Sequence, residues 1–260
     1  MSKLETYAGS SPPLPPQPAR RPRAWKFIGT SLWGLFIFAL MFVGQFVAIA
    51  YIALRDGGPI NSALIKAVSG GGITISLSVM TGLPAVLLAI WVATRFARMR
   101  FGDYLALHWT TWRSFTVSLV ALVVLVVAWD LLSRALGREV NPGFMVDVLK
   151  SAQAENAVWL LIIAFCVAAP ITEEFFVRGF LYRGWSESFL RPFGAIILSS
   201  MVWTAMHLQY DWFFFGEIMS IGVLLGYVRY RSNSTWLTVV LHGLNNLAAT
   251  IQTMWLVSHP

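Results

Sequence analysis

The chain has 260 residues, of which 57% are hydrophobic types and only 12% charged, with a net charge of +7. An average soluble domain carries about 25% charged residues, so this composition excludes an ordinary soluble protein. A lone cysteine, Cys166, excludes an internal disulfide framework.

Residues 1–26 are expected to form a disordered, Pro-rich basic tail. Ser11 to Pro18 reads SPPLPPQP, which favours extended polyproline geometry. Arg20, Arg21, Arg23 and Lys26 follow it. Such a cluster beside a span usually lies near anionic lipid on the cytoplasmic side.

Residues 27–97 are read as two N-terminal transmembrane helices. Phe27 to Leu54 is free of charge between Lys26 and Arg55, and Ala67 to Thr94 between Lys66 and Arg95. A helical span needs about 20 mainly apolar residues. The Gly-rich segment 57–71 between them reads as a re-entrant or interfacial turn. Segment 97–114 mixes basic and aromatic residues and predicts an amphipathic helix lying in the interface.

The remaining apolar runs predict spans at 115–136, 156–183, 193–209, 212–229 and 236–257. The expected fold is therefore all-α, a polytopic transmembrane helix bundle of about seven spans. With the amino terminus inside, basic residues of inner segments outnumber those of outer segments by thirteen to five. That bias predicts a cytoplasmic amino terminus. The positive charge is accounted for without nucleic acid.

A charged side chain deep in a span costs at least about 2.5–3.5 kcal/mol on insertion scales, so it marks a task. The fourth span carries Pro170-Ile171-Thr172-Glu173-Glu174-Phe175-Phe176-Val177-Arg178. Thr172 is expected to cap a helix restarted after Pro170. Glu174 and Arg178 are four apart on one face and can neutralise each other. Glu173 points about 100° away with no local partner, which makes it a candidate general base.

The fifth span carries Trp203 and His207, and the last carries His242, Gly243 and Asn246. His242 and Asn246 share a face, where an imidazole and an amide can donate two hydrogen bonds to one oxyanion. Gly243 allows another backbone or a substrate to come close. Glu217 in the sixth span is expected to snorkel near the outer boundary, with a supporting contact to the site as the alternative. Asp130 and Arg134 are expected to pair at i,i+4.

Glu173-Glu174-x-x-x-Arg178, Trp203-x-x-x-His207 and His242-x-x-x-Asn246 together resemble the CPBP family, also called Abi or type II CAAX prenyl endopeptidase-like proteins. Its motifs are E-E-x-x-x-R, F-x-x-x-H and H-x-x-x-N on successive membrane helices. Trp203 departs from the usual Phe. The resemblance covers about residues 98–256, and residues 98–257 are read as a CPBP-like intramembrane protease core. It implies an intramembrane endopeptidase acting on a peptide or protein near the membrane, in the plasma (inner) membrane.

By that resemblance Glu173 and His207 activate water, His242 and Asn246 hold the oxyanion, and Glu174 and Arg178 orient the site. Glu173, His207 and His242 are also candidate ligands of one divalent metal such as zinc. A metal-free glutamate mechanism is preferred, because no H-E-x-x-H places two ligands on one helix. The alternatives are a non-catalytic membrane scaffold or bacteriocin-immunity-type protein of the same fold, and a transporter using the carboxylates as a proton relay. The absence of visible repeats speaks against the transporter.

Overall fold

The computed structural model describes residues 24–56, 61, 65, 69–140 and 143–259. The Pro-rich part of the expected tail and most of the Gly-rich segment 57–71 lie outside the described residues. Those residues hold nine helices of five residues or more and no strand. In chain order they are α1 (Phe27–Asp56), α2 (Gly72–Phe96), α3 (Phe101–Leu105), α4 (Trp112–Ala135) and α5 (Gly143–Ala154). There follow α6 (Val158–Ser186), α7 (Arg191–Ala205), α8 (Trp212–Ser232) and α9 (Thr235–Ser258).

Helix ends follow local chemistry. Thr111 caps α4 by accepting from the Ser114 N–H, and Ser234 caps α9 by accepting from the Leu237 N–H. Asp211 Oδ1 accepts from the Phe213 and Phe214 N–H groups and starts α8. Asn156 and Asn233 take left-handed φ values of 54° and 50°, so asparagine ends α8 and sits between α5 and α6.

Among the described residues, five helices are long and apolar enough to cross a membrane: α1, α2, α4, α6 and α8. The expected count of about seven includes α7 and α9 as well. Helix α7 has only 15 residues, or about 22 Å, short of the roughly 30 Å hydrocarbon core. It ends at Ala205, so the expected span 193–209 is too long and His207 lies in the turn that follows. Helix α9 has 24 residues, but His242, Asn245, Asn246 and Gln252 dilute its apolar character. The all-α membrane bundle itself stands.

Two further expectations are corrected. The interfacial helix of 97–114 shrinks to α3, because Ala106 turns left-handed at φ 53° and Thr111 already caps α4. Helix α5, an amphipathic piece between α4 and α6, was not foreseen.

Helix α6 lies at the centre, with Phe176, Val177, Phe180 and Leu181 all buried. The start of α9 is tied to the α3–α4 connection by Thr235 Oγ1 donating to the Leu105 carbonyl and Ser234 Oγ to the His108 carbonyl. Trp25 Nε1 donates to the Ala93 carbonyl and joins the start of α1 to the end of α2. In contrast, only Leu122 and Ser133 of α4 are buried, so this helix is a thin outer wall.

Candidate active site

Pro170 does not break α6. The helix continues through it by widening to π-helical turns at Ala164–Ala168 and Phe175–Leu181. Such turns inside α-helices often occur at functional sites. The Ala169 N–H reaches back five residues to the Ala164 carbonyl. The Phe165 carbonyl then faces Pro170, which has no N–H to offer. Asn246 of α9 fills this vacancy: its Nδ2 donates to the Phe165 carbonyl at 2.8 Å. Thr172 does not cap a new helix, contrary to expectation. Its hydroxyl donates to the Ala168 carbonyl at 2.8 Å within the continuous helix.

Helix α9 approaches this turn closely. A Cβ on Gly243 would meet the Cys166 carbonyl oxygen at 2.6 Å. Glycine is thus required where the two backbones touch. That contact puts His242 and Asn246 against α6.

Glu174 and Arg178 form the expected pair, Nη1 to Oε1 at 2.8 Å, with both side chains fully buried. Arg178 Nη2 also donates to the Gly222 carbonyl of α8 at 3.0 Å. His242 Nδ1 lies 3.0 Å from the same Glu174 Oε1. A carboxylate only accepts, so with Glu174 ionised against Arg178 this nitrogen carries the proton. Nε2 of His242 is then a donor when the ring is an imidazolium.

Glu173 does have a partner, one that helical spacing within α6 could not reveal. Trp203 Nε1 of α7 donates to its Oε2 at 2.6 Å. His207 Nδ1 lies 2.8 Å from the Trp203 carbonyl. A carbonyl only accepts, so Nδ1 bears the proton and the lone pair of a neutral His207 sits on Nε2.

These groups meet at one cavity of about 1150 Å³. Glu173, Trp203, His207, His242 and Asn246 all line it, while Glu174 and Arg178 are sealed in the protein behind it. His207 reaches the cavity because short α7 ends near it. Glu217 also lines the cavity, the contact that its alternative reading expected. Asp130 accepts from Gln252 Nε2 of α9 at 3.1 Å, rather than from Arg134.

Tyr210 is a lining residue that the sequence reading missed. Its ring stacks on His207 with centroids 6.0 Å apart. Burial pushes its phenol up to about 12, helped by the charges of Glu173 and Glu217, so it is neutral at physiological pH. The aromatic spacing Trp203, His207, Tyr210, at steps of four and three, was the available signal.

Among the described residues, no three His, Cys, Asp or Glu side chains converge to hold an ion. Glu173, His207 and His242 therefore share a cavity wall without forming a three-ligand site.

Comparison with known proteins matches residues 155–248 to the family model described as type II CAAX prenyl endopeptidase Rce1-like. The matched segment includes all seven residues of the three motifs. The chain is also similar to the UPF0177 protein YbdI of Lactococcus lactis subsp. lactis (strain IL1403), 35% identical over 94 residues. That alignment covers 36% of this chain and 49% of the relative, so it spans about half of that protein's length. No solved structure matches the chain.

Proposed function

We propose that this integral membrane protein, whose residues 155–248 match the Rce1-like family model, is an intramembrane endopeptidase. It hydrolyses a peptide bond of a membrane-associated protein or peptide. We take residues 98–257 as the protease core. The bias of basic residues supports a cytoplasmic amino terminus, and the family resemblance supports the plasma (inner) membrane.

The observation that supports this reading most is the meeting of Glu173, His207, His242 and Asn246, from α6, α9 and the turn after α7, at one cavity. Glu173 and the Nε2 lone pair of His207 take a proton from water as its oxygen attacks the carbonyl carbon. The carbonyl π bond opens and its electron pair moves onto oxygen. His242 Nε2–H, in the imidazolium form, and the second N–H of Asn246 donate to that oxyanion. The intermediate collapses, the C–N bond breaks, and the proton taken from water passes to the leaving amine. Glu174 and Arg178 touch no substrate and orient His242.

In this mechanism no step requires a metal. The test is cleavage of a peptide library by the purified protein in liposomes, with Glu173→Ala and His207→Ala alongside. Wild type is expected to cleave and both variants to lose about 100-fold or more. Equal cleavage by all three would discard the mechanism. No cleavage of any peptide would favour the non-catalytic scaffold of the same fold.

A further inference from the structure

The indole of Trp203 has more contacts with the site than any motif residue requires. It is almost fully buried, at 3% exposure. Its Nε1–H donates to Glu173 Oε2 at 2.6 Å, the short distance of a hydrogen bond to a charged acceptor. The Arg178 guanidinium carbon lies over its ring, 4.6 Å from the centroid. His207 and His242 meet it edge-on at 5.1 and 5.2 Å. On α8, a Cβ at Gly222 would come within 3.1 Å of Trp203 Cε3, so the absence of a side chain there makes room for the ring.

The ring therefore stands between two carboxylates with opposite situations. On one side Glu174 and Arg178 form a sealed pair. On the other, Glu173 faces the cavity. Without a donor of its own, a half-buried glutamate facing a cavity with three side-chain torsions samples several rotamers. With the indole N–H holding Oε2, Oε1 is left as the cavity-facing base. A phenylalanine would fill the same slot and offer no donor.

We infer that Trp203 is a positioning residue: its indole N–H fixes the Glu173 carboxylate toward the cavity and its ring keeps that carboxylate apart from Arg178. This inference rests on the reading of Glu173 as the base. It adds a role carried by one N–H bond and separable from the ring's packing.

The test replaces Trp203 with 3-benzothienylalanine, in which sulfur stands where N–H was and the ring keeps its shape. Trp203→Phe serves as a second variant. In liposomes, kcat is expected to fall about 10- to 100-fold in both, with KM within about twofold. In wild type labelled with ¹⁵N-tryptophan in nanodiscs, the indole signal that disappears in Trp203→Phe should exchange slowly with deuterium. That signal should move in Glu173→Ala.

An unchanged kcat in the benzothienyl variant, with wild type active, overturns the inference and leaves the proposed function standing. An indole signal indifferent to Glu173→Ala overturns it as well. Failure of wild type to cleave any peptide overturns the proposed function, and the positioning role in catalysis goes with it.

Discussion

Asn246 donates to the carbonyl of Phe165 across 2.8 Å, on the acceptor that Pro170 leaves without a helical donor. The bond joins α9 to the wide turn of α6, so a residue read as an oxyanion donor also repairs the backbone. Its amide has two N–H groups, and one is spent on this repair. Asn246→Ala is accordingly expected to cost about 1 kcal/mol of stability, the scale measured for hydrogen bonds inside membranes, in addition to activity. Asn246→Asp, ionised, loses the donor too and should be no better. Unfolding in mixed micelles measures the first effect separately from cleavage.

The sealed pair of Glu174 and Arg178 predicts strong non-additivity. Removing Glu174 leaves the buried Arg178 charge without a counter-ion, and removing Arg178 leaves Glu174 only His242, at a cost of about 3–5 kcal/mol. The double change to methionine at both positions should be less destabilising than either single change. Equal or additive losses in equilibrium unfolding would contradict this account of the pair.

Gly243→Ala places a Cβ 2.6 Å from the Cys166 carbonyl oxygen. Helix α9 must then move off α6, at a cost of about 1–3 kcal/mol. His242 and Asn246 move with it, so kcat/KM should drop at least about tenfold while the protein still folds. Thermal unfolding and cleavage measured on the same sample check both parts.

Tyr210 sets an alkaline dependence of stability. In the unfolded chain its phenol ionises near pH 10, while in the folded protein it keeps its proton to about 12. The unfolded state therefore binds fewer protons between these values, and stability falls as pH rises through that window. Tyr210→Phe should flatten this fall. Its cleavage profile below pH 9 should match wild type, because the phenol is neutral throughout that range.

Metal removal gives a further test. With no three-ligand group among the described residues, dialysis against a chelator is expected to leave cleavage unchanged. Metal analysis of active protein should find far less than one ion per chain. A stoichiometric ion that disappears in His207→Ala would contradict the metal-free reading.

Several parts of this arrangement were legible in the amino-acid sequence because helical spacing carries them. Glu174 and Arg178 pair as residues four apart should, and His242 and Asn246 share a face of α9. Charge-free runs mark α1, α2 and α4. Other parts depend on contacts between helices, which periodicity does not encode. The bond from Trp203 to Glu173 spans thirty positions. Helix α7 read as a span because apolar residues continue to Leu208, yet Asp211 is committed to capping α8 and the turn before it uses up that length. The π-helical turns have no residue signature beyond Pro170, and Thr172 was therefore misread as a cap.

Each π-helical turn of α6 holds one residue more than an α-helical winding would. That surplus sets the phase of everything downstream. If the turn at 164–168 straightened to ordinary α-helical winding with its extra residue kept, the following side chains would swing by about 100° around the axis. Glu173 would leave the cavity and Glu174 would rotate out of its sealed bed. The division of labour between two adjacent, chemically identical acids thus hangs on a count of one in the helix that carries them.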